Sequence, residues 1–224
     1  EIVKVPLELQ FENVDKLFAA FESSMEANAY TEVGKIVKAI ADVISNLKVI
    51  IDEARPIVTL GKNLIPKKEE DIKNIADKMT REGYNLEYLN IDYNINEANK
   101  KIQDIFQRLN VLNVEDSLFE LKTMHDYFDS LYSDFDKERY SKKIYEDYSR
   151  SILLKATKLE KVNNELFKKI GDIKYSYDLS DDEVLVISEI KKEIMEIRAS
   201  YDKVVDTARS KILAYSKLAR EMEI

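Results

Sequence analysis

Val33, Ile36, Ile40, Val43, Leu47, Ile50, Ala54 and Ile57 follow one another at alternating spacings of three and four residues. That spacing keeps one edge of an α-helix apolar over many turns, the mark of a helix lying in a coiled-coil seam. The pattern returns at Ile91, Ile95, Ala98, Ile102, Ile105, Leu109 and Leu112, and again at Leu118, Leu121, His125, Phe128, Tyr132 and Phe135. Breakers are scarce, with 4 Gly and 3 Pro in 224 residues. Charged residues make up 35% and hydrophobic residues 45%, the mix of helices that bury one stripe and solvate the rest. The chain is therefore predicted to be all-α, built of antiparallel bundles of about three helices in an elongated, rod-like assembly.

The first helix is expected from about Leu7 to Ala27, with Val14, Leu17, Phe18, Phe21 and Met25 on one stripe and Asn28 capping the next helix. Pro56 lies late in the second. An interior Pro loses a hydrogen bond and costs about 3 kcal/mol unless packing compensates, so a kink or a boundary at Arg55 is expected. Pro66 then suits the first turn of a short helix, Ile72, Ile75 and Met79 fall at helical spacing, and Gly83 can take the left-handed cap. The third seam runs on, with a change of phase through Tyr145, Tyr148 and Ile152, to Leu166 and Ile170. A pattern this long is that of a helix shared between two packing units, and Gly171 is expected to end it. Ser180 and Glu183 form a capping box ahead of a last helix, whose seam from Ile187 to Leu218 only Lys211 breaks. Two repeats are expected, 1–112 and 113–224, sharing the long connecting helix.

A net charge of −8 argues against non-specific nucleic-acid binding and weakens the case for an anionic membrane surface. With no Cys there is no disulfide frame, thiolate metal site or cysteine nucleophile, which suits a reducing compartment. No apolar run approaches the roughly 18 residues of a spanning helix. The chain opens on Glu1 rather than Met and is expected to be a piece of a longer protein.

No convergent catalytic or metal-binding set is apparent, and no cofactor is expected. His125, the one histidine, sits in a seam between Leu121 and Phe128 and reads as packing. The acids Glu69–Glu70–Asp71 and Asp181–Asp182–Glu183 sit in first helical turns, where the dipole favours negative charge. Most of the 13 tyrosines read as seam filling, and those at the joints (Tyr84, Tyr88, Tyr93, Tyr175, Tyr177) as packing for helix ends. Within the joint, Gly83, Tyr84, Tyr88 and Tyr93 are the candidate hinge or docking residues.

That joint carries a resemblance. Pro66, Met79, Gly83, Tyr84, Leu86, Glu87, Ile91 and Asp92 match a recurring segment of the EzrA septation-ring regulators: a Pro, a short amphipathic helix ending in Met, then Gly-Tyr-x-Leu-Glu and an aliphatic-Asp pair. Upstream, Asn28-Ala29-Tyr30-Thr31 and Ile51-Asp52-Glu53 leading to Pro56 are similar to the family's preceding helix. Strong similarity runs from about Phe21 to Phe135, and Tyr88 stands where a His is expected. The family's membrane-spanning helix and its Gln-Asn-Arg patch have no counterpart in this sequence, so what depends on them is not carried over. The resemblance implies spectrin-like repeats in a non-enzymatic cytoplasmic scaffold, soluble in itself, from a membrane-anchored parent at the division septum. It implies protein partners, the tubulin-like ring protein FtsZ and other division proteins, and neither nucleic acid nor direct membrane binding. The rival reading is a membrane-bending crescent dimer of the BAR type, against which the charge balance counts.

Overall fold

The seams become helices where their spacing predicts them. A computed structural model describes residues 3–223, and among these no strand occurs. The helices are α1 (Lys4–Glu26), α2 (Tyr30–Thr59), α3 (Ile65–Arg81), α4 (Ile91–Asn110), α5 (Ser117–Tyr177), α6 (Asp181–Ser210) and α7 (Tyr215–Glu221). None is long and apolar enough to cross a membrane. The chain divides into two units. One takes the chain as far as Ile75 and again from Asn90 to Leu131; the other takes Ala76–Leu89 and the chain from Tyr132 on.

In the first unit the seam residues Ile40, Leu47, Ala54 and Ile57 of α2 are buried, as are Ile95, Ala98, Ile102, Ile105 and Leu109 of α4 and Leu121 and Phe128 of α5. Helix α1 is less covered than its stripe predicts. It has no buried residue, and Phe18 and Met25 lie nearly half exposed. Asn28 is no cap either: it takes a left-handed φ of 54°, and its side chain accepts the Tyr30 hydroxyl, while Ala29 occupies the N-cap position.

Pro56 does not end α2, which continues to Thr59 and passes through a π-helical turn, Leu60–Leu64, directly into α3. The Ile65 N–H reaches five residues back to the Leu60 carbonyl. A proline ring clashes with the carbonyl four residues before it, and a wider turn just ahead of Pro66 relieves that clash without breaking the helix. Gly61 sits buried in this turn because a Cβ there would stand 2.8 Å from the Phe106 ring of α4.

Glu69, one turn further on, is the unit's buried acid. Asn99 donates to one carboxylate oxygen at 3.2 Å, and the other has no partner among the described residues. Burial pushes its carboxyl above the usual range, against the lowering effects of Asn99 and Lys73. A folded pKa above the unfolded one means that folding favours the protonated acid, so this stability is present at low pH and lost as pH rises through the folded value. Glu69→Gln should therefore stabilise the chain at pH 7, by on the order of 1 kcal/mol, with the difference shrinking by pH 4 in denaturation at the two pH values.

The second unit buries Met79, Phe135, Tyr145, Ala156, Ile194 and Leu218. Gly171 does not end α5, which runs 61 residues to Tyr177. An isolated Gly costs a helix about 1 kcal/mol relative to Ala, less than continued pairing with a neighbour returns. Nothing lies within 4 Å of a Cβ built there, so Gly171→Ala should raise stability by roughly 0.5–1 kcal/mol in urea denaturation. The turn into α6 carries the expected box: Ser180 Oγ accepts the Glu183 N–H, and the Glu183 carboxylate accepts the Ser180 N–H at 2.8 Å. Tyr175 and Tyr177 do not pack this end and stand 93% and 77% exposed. The last helix is also not continuous. Lys211 adopts a left-handed φ of 56°, ends α6 and turns the chain into α7. The break lets Leu218, Ala219 and Met222 pack with Tyr145 in one cluster.

Candidate functional site: the joint after helix α3

Helix α3 closes in a Schellman arrangement. The Gly83 N–H bonds the Thr80 carbonyl and the Tyr84 N–H bonds the Met79 carbonyl, both at 3.0 Å. Gly83 takes a φ of +91°, a conformation an L side chain resists. The geometry throws Tyr84 and Leu86 inward, where both are buried. Between them Asn85 uses both ends of its amide. Its oxygen accepts the Glu87 N–H, and its nitrogen donates to the Lys211 and Ile212 carbonyls at 3.0 and 3.2 Å. The joint is thereby tied to the break between α6 and α7.

An aromatic cluster backs this tie. The rings of Tyr84 and Tyr215 meet edge to face at 5.3 Å, and Tyr145 lies 5.6 Å from Tyr215. The Lys142 ammonium sits 4.6 Å from the centre of the Tyr84 ring and 5.3 Å from that of Tyr215, and donates to the Glu82 carbonyl. A cation over two ring faces adds attraction beyond the area buried. Burial above all pushes the phenols of Tyr84, Tyr145 and Tyr215 up, so they stay neutral.

Glu138 of α5 holds the centre. Its side chain is fully buried. One carboxylate oxygen accepts the Tyr88 hydroxyl at 3.1 Å, and the other accepts the Tyr215 N–H at 2.8 Å. The Ser216 N–H points at the same carboxylate at 3.3 Å. A buried charge is tolerable only when its lone pairs are taken. Here Glu138 caps α7 from another helix and binds the joint to it. Burial first, then the charge and hydrogen bond of Glu138, push the Tyr88 phenol far above its usual range, which keeps it a donor.

The structure thus gathers Gly83, Tyr84 and Tyr88 of the candidate residues. Tyr93 belongs to the other unit, in the first turn of α4, two-thirds exposed. Glu138, Lys142, Asn85 and Tyr215 were not anticipated. The alternation of three and four puts the next seam position at Arg139, so spacing gave no signal for Glu138; the buried positions instead step by three, from Phe135 to Glu138 and Ser141.

His125 lies apart from this joint, in the first unit. Its Nδ1 is 3.4 Å from Asp129 and 3.7 Å from Asp126, a grouping that a metal ion could use. The Lys68 ammonium, however, pairs with Asp129 and stands 3.4 Å from the same Nδ1. That ion pair holds the Asp129 carboxyl below its usual range. The protein supplies its own cation here, and the grouping serves as a link between α3 and α5.

A family model described as "Septation ring formation regulator, EzrA" matches residues 4–224. Curated relatives of that name include one from Staphylococcus epidermidis, 20% identical over 218 residues, 97% of this chain and 39% of the relative. One from Streptococcus gordonii is 20% identical over 97% of this chain and 38% of its own length. Another from Geobacillus sp. is 21% identical over 99% of this chain and 39% of its own length. The chain thus spans about two fifths of the length of the relatives it matches. No solved structure matches it. The crescent-dimer reading finds no support in these matches, whereas the seams, the Gly-Tyr-x-Leu-Glu joint and a match across almost every residue agree: the chain belongs to the EzrA family of septation ring formation regulators.

Proposed function

We propose that the chain is a non-enzymatic scaffold segment of a division regulator, working at the cytoplasmic side of the membrane at the septum. It acts by binding proteins rather than nucleic acid, lipid or a cofactor. The partner the family reading favours is the tubulin-like ring protein FtsZ, whose assembly it restrains. The match to septation ring formation regulators over residues 4–224 carries this reading. Light scattering of the polymerising ring protein tests it: the chain should lower the plateau in proportion to its concentration, and an unchanged plateau would remove the activity from this segment.

Within that function the joint, residues 82–89 of the second unit, serves as a docking knob held rigid within that unit. The hydrogen bonds of Asn85 and Glu138 support rigidity, and the exposed face of Tyr88 offers contact area at low entropy cost. Tyr88→Ala should weaken partner binding several-fold, beyond its effect on thermal stability, whereas Tyr84→Ala should chiefly lower stability. The reverse pattern, by calorimetry and a binding titration, would make the knob structural only.

A further inference from the structure

The buried edge of the helix formed by α2 and α3 runs in steps of seven on each side of its π-turn. Ile40, Leu47, Ala54 and Gly61 come before it, and Ile65, Ile72 and Met79 after it. Such a row keeps one helical edge inward only while no residue is added or lost between its members. The companion row Ile36, Val43, Ile50 and Ile57 leads by the same step to Leu64. Yet Leu64 is 44% exposed, and Ile65 beside it is completely buried. Glu69 is likewise buried one place later than the step from Gly61 reaches. The two halves are thus out of step by one residue, and Leu60–Leu64 is where that residue is taken up. A turn bonded five residues back instead of four holds one more residue and leaves the helix on either side in phase.

Pro66 does not demand the extra residue by itself, since Pro56 lies inside regular α-helix with no wide turn ahead of it. The demand comes from the sequence beyond the turn. Had the phase of α2 carried through, Leu64, Lys68, Asp71 and Lys78 would face inward in place of Ile65, Glu69, Ile72 and Met79. Burying two ammonium groups and a second carboxylate costs far more than one wide turn. The slack is therefore trapped between two halves that cannot rotate to absorb it. The turn that holds it is also weakly bonded, because Pro66 has no N–H for the Lys62 carbonyl. We propose that Leu60–Leu64 is a one-residue insertion in an otherwise continuous heptad helix, and that it is the point at which the first unit gives. The backbone opens and bends there while the packed edges on both sides stay closed.

Deleting a residue from a regular helix turns everything beyond it by about 100°. Removing the exposed Lys101 from α4 should accordingly swing Ile102, Ile105 and Leu109 out of the core and abolish the unit's cooperative melt. Removing the exposed Asn63 should do the opposite, closing the π-turn to α-helix so that the buried row runs unbroken. Pro66→Ala accompanies that deletion, because a proline in the closed helix would restore its clash. The Asn63 deletion with Pro66→Ala should melt no lower than Pro66→Ala alone. Amide exchange reads the give itself. In the unaltered chain the Leu64 and Ile65 amides should exchange roughly tenfold faster than those of Leu47 and Ile72, and the Asn63 deletion should remove the difference. A deletion variant that unfolds, or melts well below Pro66→Ala, overturns the insertion. So does a Lys101 deletion tolerated equally well, since the tolerance would then be general. Turn amides as protected as those of Leu47 and Ile72 overturn the give.

Discussion

Replacing Glu138 with Ala is expected to lower the stability of the second unit by about 3 kcal/mol, roughly 1 for each donor it leaves without an acceptor. The size follows from what the carboxylate holds. Its loss strands the Tyr88 hydroxyl and the Tyr215 and Ser216 amides, all drawn to one buried point. Each donor left unsatisfied in a buried site costs roughly 1–3 kcal/mol. Glu138→Gln keeps the shape but offers one acceptor oxygen in place of two, and should recover part of the loss. Urea denaturation followed by circular dichroism measures both, and a loss under about 1 kcal/mol for Glu138→Ala would mean that water replaces the carboxylate at little cost. A cycle with Tyr88→Phe should show coupling, because the two side chains share one hydrogen bond.

Phe128→Ala is the corresponding test of the first unit. Its side chain is completely buried on α5, as are Leu121 on the same helix and Ile72 of α3 and Ile105 of α4 in the same unit. Truncating a buried Phe removes its transfer free energy and leaves a cavity, typically about 3–5 kcal/mol together. The same urea titration reads it. Phe128 and Glu138 lie ten positions apart on α5, about 15 Å by helical rise, and belong to different units. Their effects should add within about 0.5 kcal/mol in the double variant. Strong non-additivity would contradict the division of the helix between two cores.

What the sequence disclosed and what it hid separate along one physical line. Devices made by near neighbours were legible: the seams of α2 and α4, the left-handed cap at Gly83 and the box of Ser180 with Glu183 each depend on residues within a turn or two. Breaker signals misled where packing outweighed them. Pro56 and Gly171 both lie inside continuous helix because the helical register there is held by more than the one residue that disfavours it. Lys211 reads in the sequence as a single break in a seam, and it marks the turn that allows α7 to fold back. The centre of the joint was the least legible part, since Glu138 and Tyr215 are 77 residues apart and no local pattern couples a buried acid to a distant pair of amides. Of the tyrosines, Tyr84 packs the helix end as its position after Gly83 predicts, while Tyr175 and Tyr177 at the tip of the α5–α6 turn have no such neighbour and stay exposed.

The central claim is that the joint is a built knot, with α7 pinned to it through Glu138, and amide hydrogen exchange at Tyr215 and Ser216 tests it most directly. These two amides open a seven-residue helix, where fraying alone would leave them almost unprotected. Protection comparable to that of amides within α5 is expected, and its collapse in Glu138→Ala. Exchange near the rate of an open chain in the unaltered protein would contradict it.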